Sequence, residues 1–147
     1  MRLLGGAIKP RYEGTMTKRF DAPPSLADLD DLAREAFKAI PDELRAHAAD
    51  VVIRIVEFPD DDMVREMGLS SPFELSGLYS GIPIGEKSVS ATPGDVDMIL
   101  LFRRPLLDEW CETGEDLTGL IRHVLIHEIG HHFGFSDADM ARIEADD

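Results

Sequence analysis

The sequence predicts an α+β domain from three observations. These are an amphipathic helix over residues 25–40, two strand-like apolar runs at 51–58 and 96–105, and a long, mostly apolar helix over about 115–133. In the first, Leu26, Leu29, Leu32, Ala33, Ala36, Phe37 and Ile40 recur at helical spacing with acids opposite, the pattern of a helix laid over a sheet. Pro41 ends it, and PDELRAHAAD supplies a short helical turn. The β-branched run VVIRIVEF is expected to be a central strand. DDDMVREMG then forms a short helix closed by Gly68. The Gly-, Pro- and Ser-rich stretch from Ser70 to Asp95 is expected to hold one irregular strand near Leu78, Ile82 and Ile84 and a mobile loop. VDMILLFRRP is the next strand, stopped by Pro105. In the long helix, Leu120, Ile121, Val124, Leu125, Ile126 and Ile129 predict burial, and Thr113 and Asp116 have capping-box spacing. A short helix in SDADMARIEADD follows.

The chain has 147 residues and 44% hydrophobic residues, enough for one core and too few for two. The expected organisation is a basic, mobile segment over 1–24 and a single domain over 25–147. No apolar run reaches the roughly twenty residues that cross a bilayer, and Lys9 and Pro10 interrupt the apolar start before a signal-peptide core can form. The expectation is a cytoplasmic protein without membrane attachment. Its one cysteine, Cys111, rules out an internal disulfide and is expected to be a half-buried thiol. The net charge of −14 is uneven: Arg2, Lys9, Arg11, Lys18 and Arg19 against Glu13 make the first twenty residues +4, so the body carries −18. Such a body disfavours nucleic acid, whose binding depends on phosphate neutralisation, and suits basic partners.

The chemistry lies in HEIGHHFGFSD, residues 127–137. Residues four apart share a helix face, so His127 and His131 can aim at one ion, with Glu128 at the edge of that face. A zinc ion with only three protein ligands keeps a place for water and lowers its pKa from about 15.7 toward about 7. Glu128 is then the general base. Gly134 ends the helix abruptly and turns the chain back, which makes Asp137 the candidate third ligand. Two rivals stand beside it. Asp137 can equally be a first-turn acid next to a Ser136/Asp139 capping box, and Glu144 can reach the metal if the chain doubles back tightly. His47 is a more remote candidate. His123 precedes His127 by one turn of about 5.4 Å, too far to join an ion between the later pair, and is expected to brace a ligand or to pack. His132, rotated about 100° from His131, is expected to be partly buried and hydrogen-bonded.

The run H-E-x-x-H-x-x-G-x-x-D resembles the zincin metallopeptidases, specifically the metzincin-type signature with aspartate replacing the usual third histidine, and most closely the minimal bacterial zincin-like proteins. HExxH arises by chance in on the order of a few per thousand chains of this length, and Gly134 and Asp137 reduce that roughly a hundredfold, so the pattern is not incidental. The resemblance implies a small twisted mixed sheet packed on a helix, a buried active-site helix and a short C-terminal helix. It further implies one Zn2+ per chain and an edge strand that pairs with an extended peptide. The strand at 96–102 and the one near 78–84 are the candidates for that edge. Metzincins carry a later methionine turn under the metal. Here only Met140 follows the motif, as an expected core residue of the last helix.

The implied activity is zinc-dependent endopeptidase hydrolysis of peptides or extended protein segments, with basic ones suited to the acidic body. Tyr79, Arg103 and Arg104 are the candidates for stabilising an oxyanion. A second reading is a zincin-fold module that binds peptides or proteins without turnover. Glu128 speaks against it, since a purely structural site has no use for an acid beside the water. A third is a four-ligand structural zinc whose removal unfolds the chain. Substrate and oligomeric state are not legible in the sequence.

Overall fold

The computed structural model describes residues 20–81 and 97–145. The expected segment 1–24 lies outside them up to residue 19, as do residues 82–96, which hold Ile82 and Ile84 of the expected irregular strand and Val96 of the next one.

Helix α1, Leu26–Lys38, begins at Ser25. There the Ser25 hydroxyl accepts the Asp28 N–H and the Asp28 carboxylate accepts the Ser25 N–H, satisfying two donors that a helix start leaves orphaned. Leu29, Leu32, Ala33 and Ala36 are buried, while Leu26 remains exposed at the helix start. After Pro41 come α2, Asp42–Arg45, and a 3-10 turn at Ala46–Ala48. Strand β1 is Val52–Val56 and helix α3 is Asp61–Glu66, closed by Gly68 at φ +67°. A 3-10 turn at Pro72–Glu74 leads into strand β2, Gly77–Ser80. Strand β3, Met98–Phe102, is followed by α4, Arg103–Thr113, then α5, Leu117–His132, and α6, Asp137–Ala145.

Among the described residues the sheet is mixed, in the order β1-β3-β2, with β1 parallel and β2 antiparallel to β3. The run at 51–58 is therefore an edge strand rather than the central one expected. β3 takes the centre because Ile99, Leu100, Leu101 and Phe102 are apolar on both faces and all buried. β1 instead puts Arg54 and Val52 at the surface.

A second correction concerns Pro105, which does not stop the strand. β3 ends at Phe102 and the chain turns directly into α4, an element the sequence reading omitted. Proline is tolerated in the first helical turn, where its missing N–H has no partner to lose. The Arg104 N–H donates to Glu57 O, tying this turn to the end of β1. Helix α4 buries Leu106 and half-buries Trp110, so Cys111, rotated off that face, is exposed rather than half-buried. Helix α4 also displaces the expected cap of α5. Its C-cap Gly114 lies at φ +68°, and Asp116 itself caps α5 by accepting the Gly119 N–H.

Helix α5 is buried along one side through Leu120, Ile121, Val124, Leu125, Ile126 and Ile129, packed against α1 and β2. Each such side chain contributes roughly 1.5–3 kcal/mol by leaving water. Phe20 packs edge-on against Trp110, and Pro24 O accepts from Arg103 Nε. No helix among the described residues is long and apolar enough to cross a membrane. Removing the α1 cap in Ser25→Ala is expected to lower stability by about 1 kcal/mol in urea denaturation, with the site unchanged.

Candidate metal centre

The burial that fixes α5 leaves its opposite stripe, His123, His127 and His131, facing out. The α5 helix ends in a Schellman motif: the Phe135 N–H donates to Gly130 O and the Gly134 N–H to His131 O. Gly134 at φ +81° is the left-handed residue this turn requires. The chain reverses, and α6 runs back along α5. Its approach is set at Gly130, where a Cβ would lie 2.8 Å from Met140 Cγ. Met140 is fully buried, as expected for a core residue of the last helix.

This αα-hairpin puts two carboxylates beside the histidine stripe. Asp137 Oδ1 lies 3.5 Å from His131 Nε2. Seven residues later, about 10 Å along α6 at 1.5 Å per residue, Glu144 reaches the earlier histidines. Its Oε1 is 3.0 Å from His127 Nε2 and its Oε2 is 2.9 Å from His123 Nδ1. An ionised carboxylate only accepts, so each ring nitrogen donates. Of the sequence candidates, His131 and Asp137 are thus brought together, whereas His127 is turned to Glu144. His123 braces Glu144 with a half-exposed ring. The Ser136/Asp139 capping box also forms, and the Ser136 N–H and hydroxyl hold the Asp139 carboxyl below its ordinary pKa. The box leaves the Asp137 side chain out, so capping and proximity to His131 coexist.

Glu128 is held from the sheet. Phe102 N–H donates to Ser76 O, and Leu78 is in register with Leu100, so pairing alternation turns the Tyr79 backbone to the edge of β2 that is unpaired among the described residues. There the Tyr79 N–H donates to Glu128 Oε2 at 3.3 Å. Burial, the largest influence, raises the Glu128 pKa above the ordinary carboxylate value, while the Tyr79 N–H and nearby His131 pull it back. Of the two strands considered for the cleft edge, β3 is interior and paired on both sides, which leaves β2, among the described residues, as the edge beside α5.

The remaining candidates are occupied elsewhere. The Tyr79 hydroxyl donates to Asp97 Oδ2 at 3.0 Å, and burial, then Asp97, keeps the phenol protonated far above its usual pKa. The Tyr79 ring stacks on half-buried His132 with centroids 3.7 Å apart. Arg103 binds Pro24 O and Glu57, and Arg104 lies over the Phe58 ring. His47 stacks against Phe133. The sequence reading did not foresee the Tyr79 N–H contact with Glu128, because a backbone group carries no residue signature.

In comparison with known proteins, residues 48–146 match the family model described as zincin-like metallopeptidase. No curated protein matches the chain.

Because Gly130 admits Met140, Gly130→Ala is expected to cost about 1–3 kcal/mol by overpacking and to weaken zinc binding by displacing α6. Denaturation and metal titration of the same variant check both. Unchanged values would mean that α6 is not positioned through this contact.

Proposed function

The chain belongs to the zincin-like metallopeptidase family, and from that membership we propose that it hydrolyses peptide bonds with zinc held by His127, His131 and Asp137 and with Glu128 as general base. The observation that carries this reading is the placement of Glu128. Its carboxylate is half-buried beside the outward stripe of α5 and fixed by an N–H from the adjoining edge strand.

The donor set suits the ion the family implies. Zinc bonds to imidazole nitrogen and carboxylate oxygen measure about 2.0–2.2 Å, which separates two tetrahedral ligands by roughly 3.4 Å. The 3.5 Å between His131 Nε2 and Asp137 Oδ1 matches that edge. His127 completes the set by releasing its hydrogen bond to Glu144. Zinc bound there supplies a Lewis acid for the substrate carbonyl and lowers the pKa of water toward about 7.

The chain's own groups do the rest. With its pKa raised by burial, Glu128 is a stronger proton acceptor than an exposed glutamate. It takes a proton from the attacking water and delivers it to the leaving amine. The Tyr79 N–H keeps one carboxylate oxygen oriented and leaves the other for the proton. An extended peptide segment along the outer edge of β2 finds the Gly77 backbone and the Tyr79 carbonyl turned toward it, a mode in which main-chain bonds supply the affinity. The acidic body, −18 beyond residue 20, favours basic segments.

The test is incubation of zinc-loaded protein with a diverse peptide library, read by mass spectrometry. Glu128→Ala is expected to keep metal and to lower cleavage by roughly 10²–10⁴-fold; retained turnover would sink the mechanism. Asp137→Ala is expected to bind zinc more weakly and to lose cleavage. Unchanged affinity and turnover in that variant would move the third-ligand assignment to Glu144.

A further inference from the structure

Glu144 is not used by the reaction, yet it is the best-held carboxylate on the histidine stripe. Its two oxygens engage two imidazoles at once, His127 at 3.0 Å and His123 at 2.9 Å. One ligand atom from each of these three residues falls within 4.8 Å of the others, and this is the grouping of metal-ligating side chains found among the described residues. The His123 and His127 rings are 4.2 Å apart between centroids. Apart from the shared His127, the set is the more sheltered one: His123 and Glu144 side chains are 50% and 26% exposed, against 57% and 90% for His131 and Asp137. Beside His123 and Glu144 opens a groove of about 460 Å³ whose lining includes Glu109, Glu115 and Asp116, a setting that draws cations.

We propose that His123, His127 and Glu144 form a separate divalent-metal station, one turn up α5 from the HExxH set and mutually exclusive with it because both require His127 Nε2. Two imidazoles and a carboxylate are borderline donors suited to zinc. The His–Glu separations of 2.9 and 3.0 Å are slightly shorter than the roughly 3.4 Å edge of a zinc tetrahedron, so an ion entering here parts two hydrogen bonds instead of drawing distant groups together. An ion held here takes His127 Nε2 from the set with His131 and Asp137, so the loaded station is an idle form of the chain. The inference shares His127 with the proposed reaction but concerns metal binding alone.

The test uses full-length protein, with Zn2+ affinity measured by competition with a chromophoric chelator and ligand geometry by Co2+ absorption. His131→Ala, which disables the HExxH set, is expected to retain one metal per chain, bound more weakly than in wild type, with a tetrahedral Co2+ spectrum. Adding His123→Ala or Glu144→Gln to it is expected to cut that affinity by more than about 100-fold, since losing an outer partner alone costs roughly 10–100-fold. His123→Ala alone is expected to keep one bound metal per chain, held by the HExxH set. Circular dichroism establishes that each variant is folded. Folded His131→Ala that binds no metal, or that binds it equally well with and without His123 and Glu144, overturns the station. Neither result bears on cleavage by wild type, so failure of the peptidase reading is seen separately.

Discussion

The return of α6 along α5 is the contact on which the site depends. Helix α5 alone offers a row of histidines and no carboxylate beside them apart from Glu128. A hairpin closed at Gly134 and pressed together at Gly130 and Met140 brings Asp137 and Glu144 to that row, one at each end. The spacing follows from helix geometry, since seven residues on α6 cover about 10 Å and so span most of the distance from His131 to His123. Any change that slides one helix along the other exchanges the partners of all three histidines.

Glu128 depends on a different contact. It projects from the side of α5 nearest the sheet, where burial raises its pKa and an edge-strand N–H orients it. Among the described residues that edge of β2 is unpaired, so in the proposed reaction an extended chain added there would meet the strand that orients Glu128. Tyr79 is central to this arrangement by its backbone. Its side chain is held by Asp97 and His132 and so secures the strand instead of reaching toward a substrate.

Much of the fold was legible because burial leaves a period. The face of α1 and the apolar side of α5 could be read from residue spacing, and Gly68 and Gly134 from the left-handed turns they permit. Strand order was misread: Arg54 interrupts the apolar run of β1, whereas β3 is apolar throughout and is the strand paired on both sides. Helix α4 was missed because Pro105 signals a stop in isolation but is acceptable in a first turn. The exposure of Cys111 and the cap at Asp116 follow from that helix.

By itself the sequence determined the family, because two histidines four apart share one helix face, with a glutamate at its edge, whatever surrounds them. It also determined where the chain must reverse, because glycine alone adopts that turn without strain. Only the tertiary structure decided which carboxylate meets which histidine, and which strand borders the base. Those are relations between elements distant in sequence, set by helix packing and strand pairing, for which residue spacing along one element carries no information.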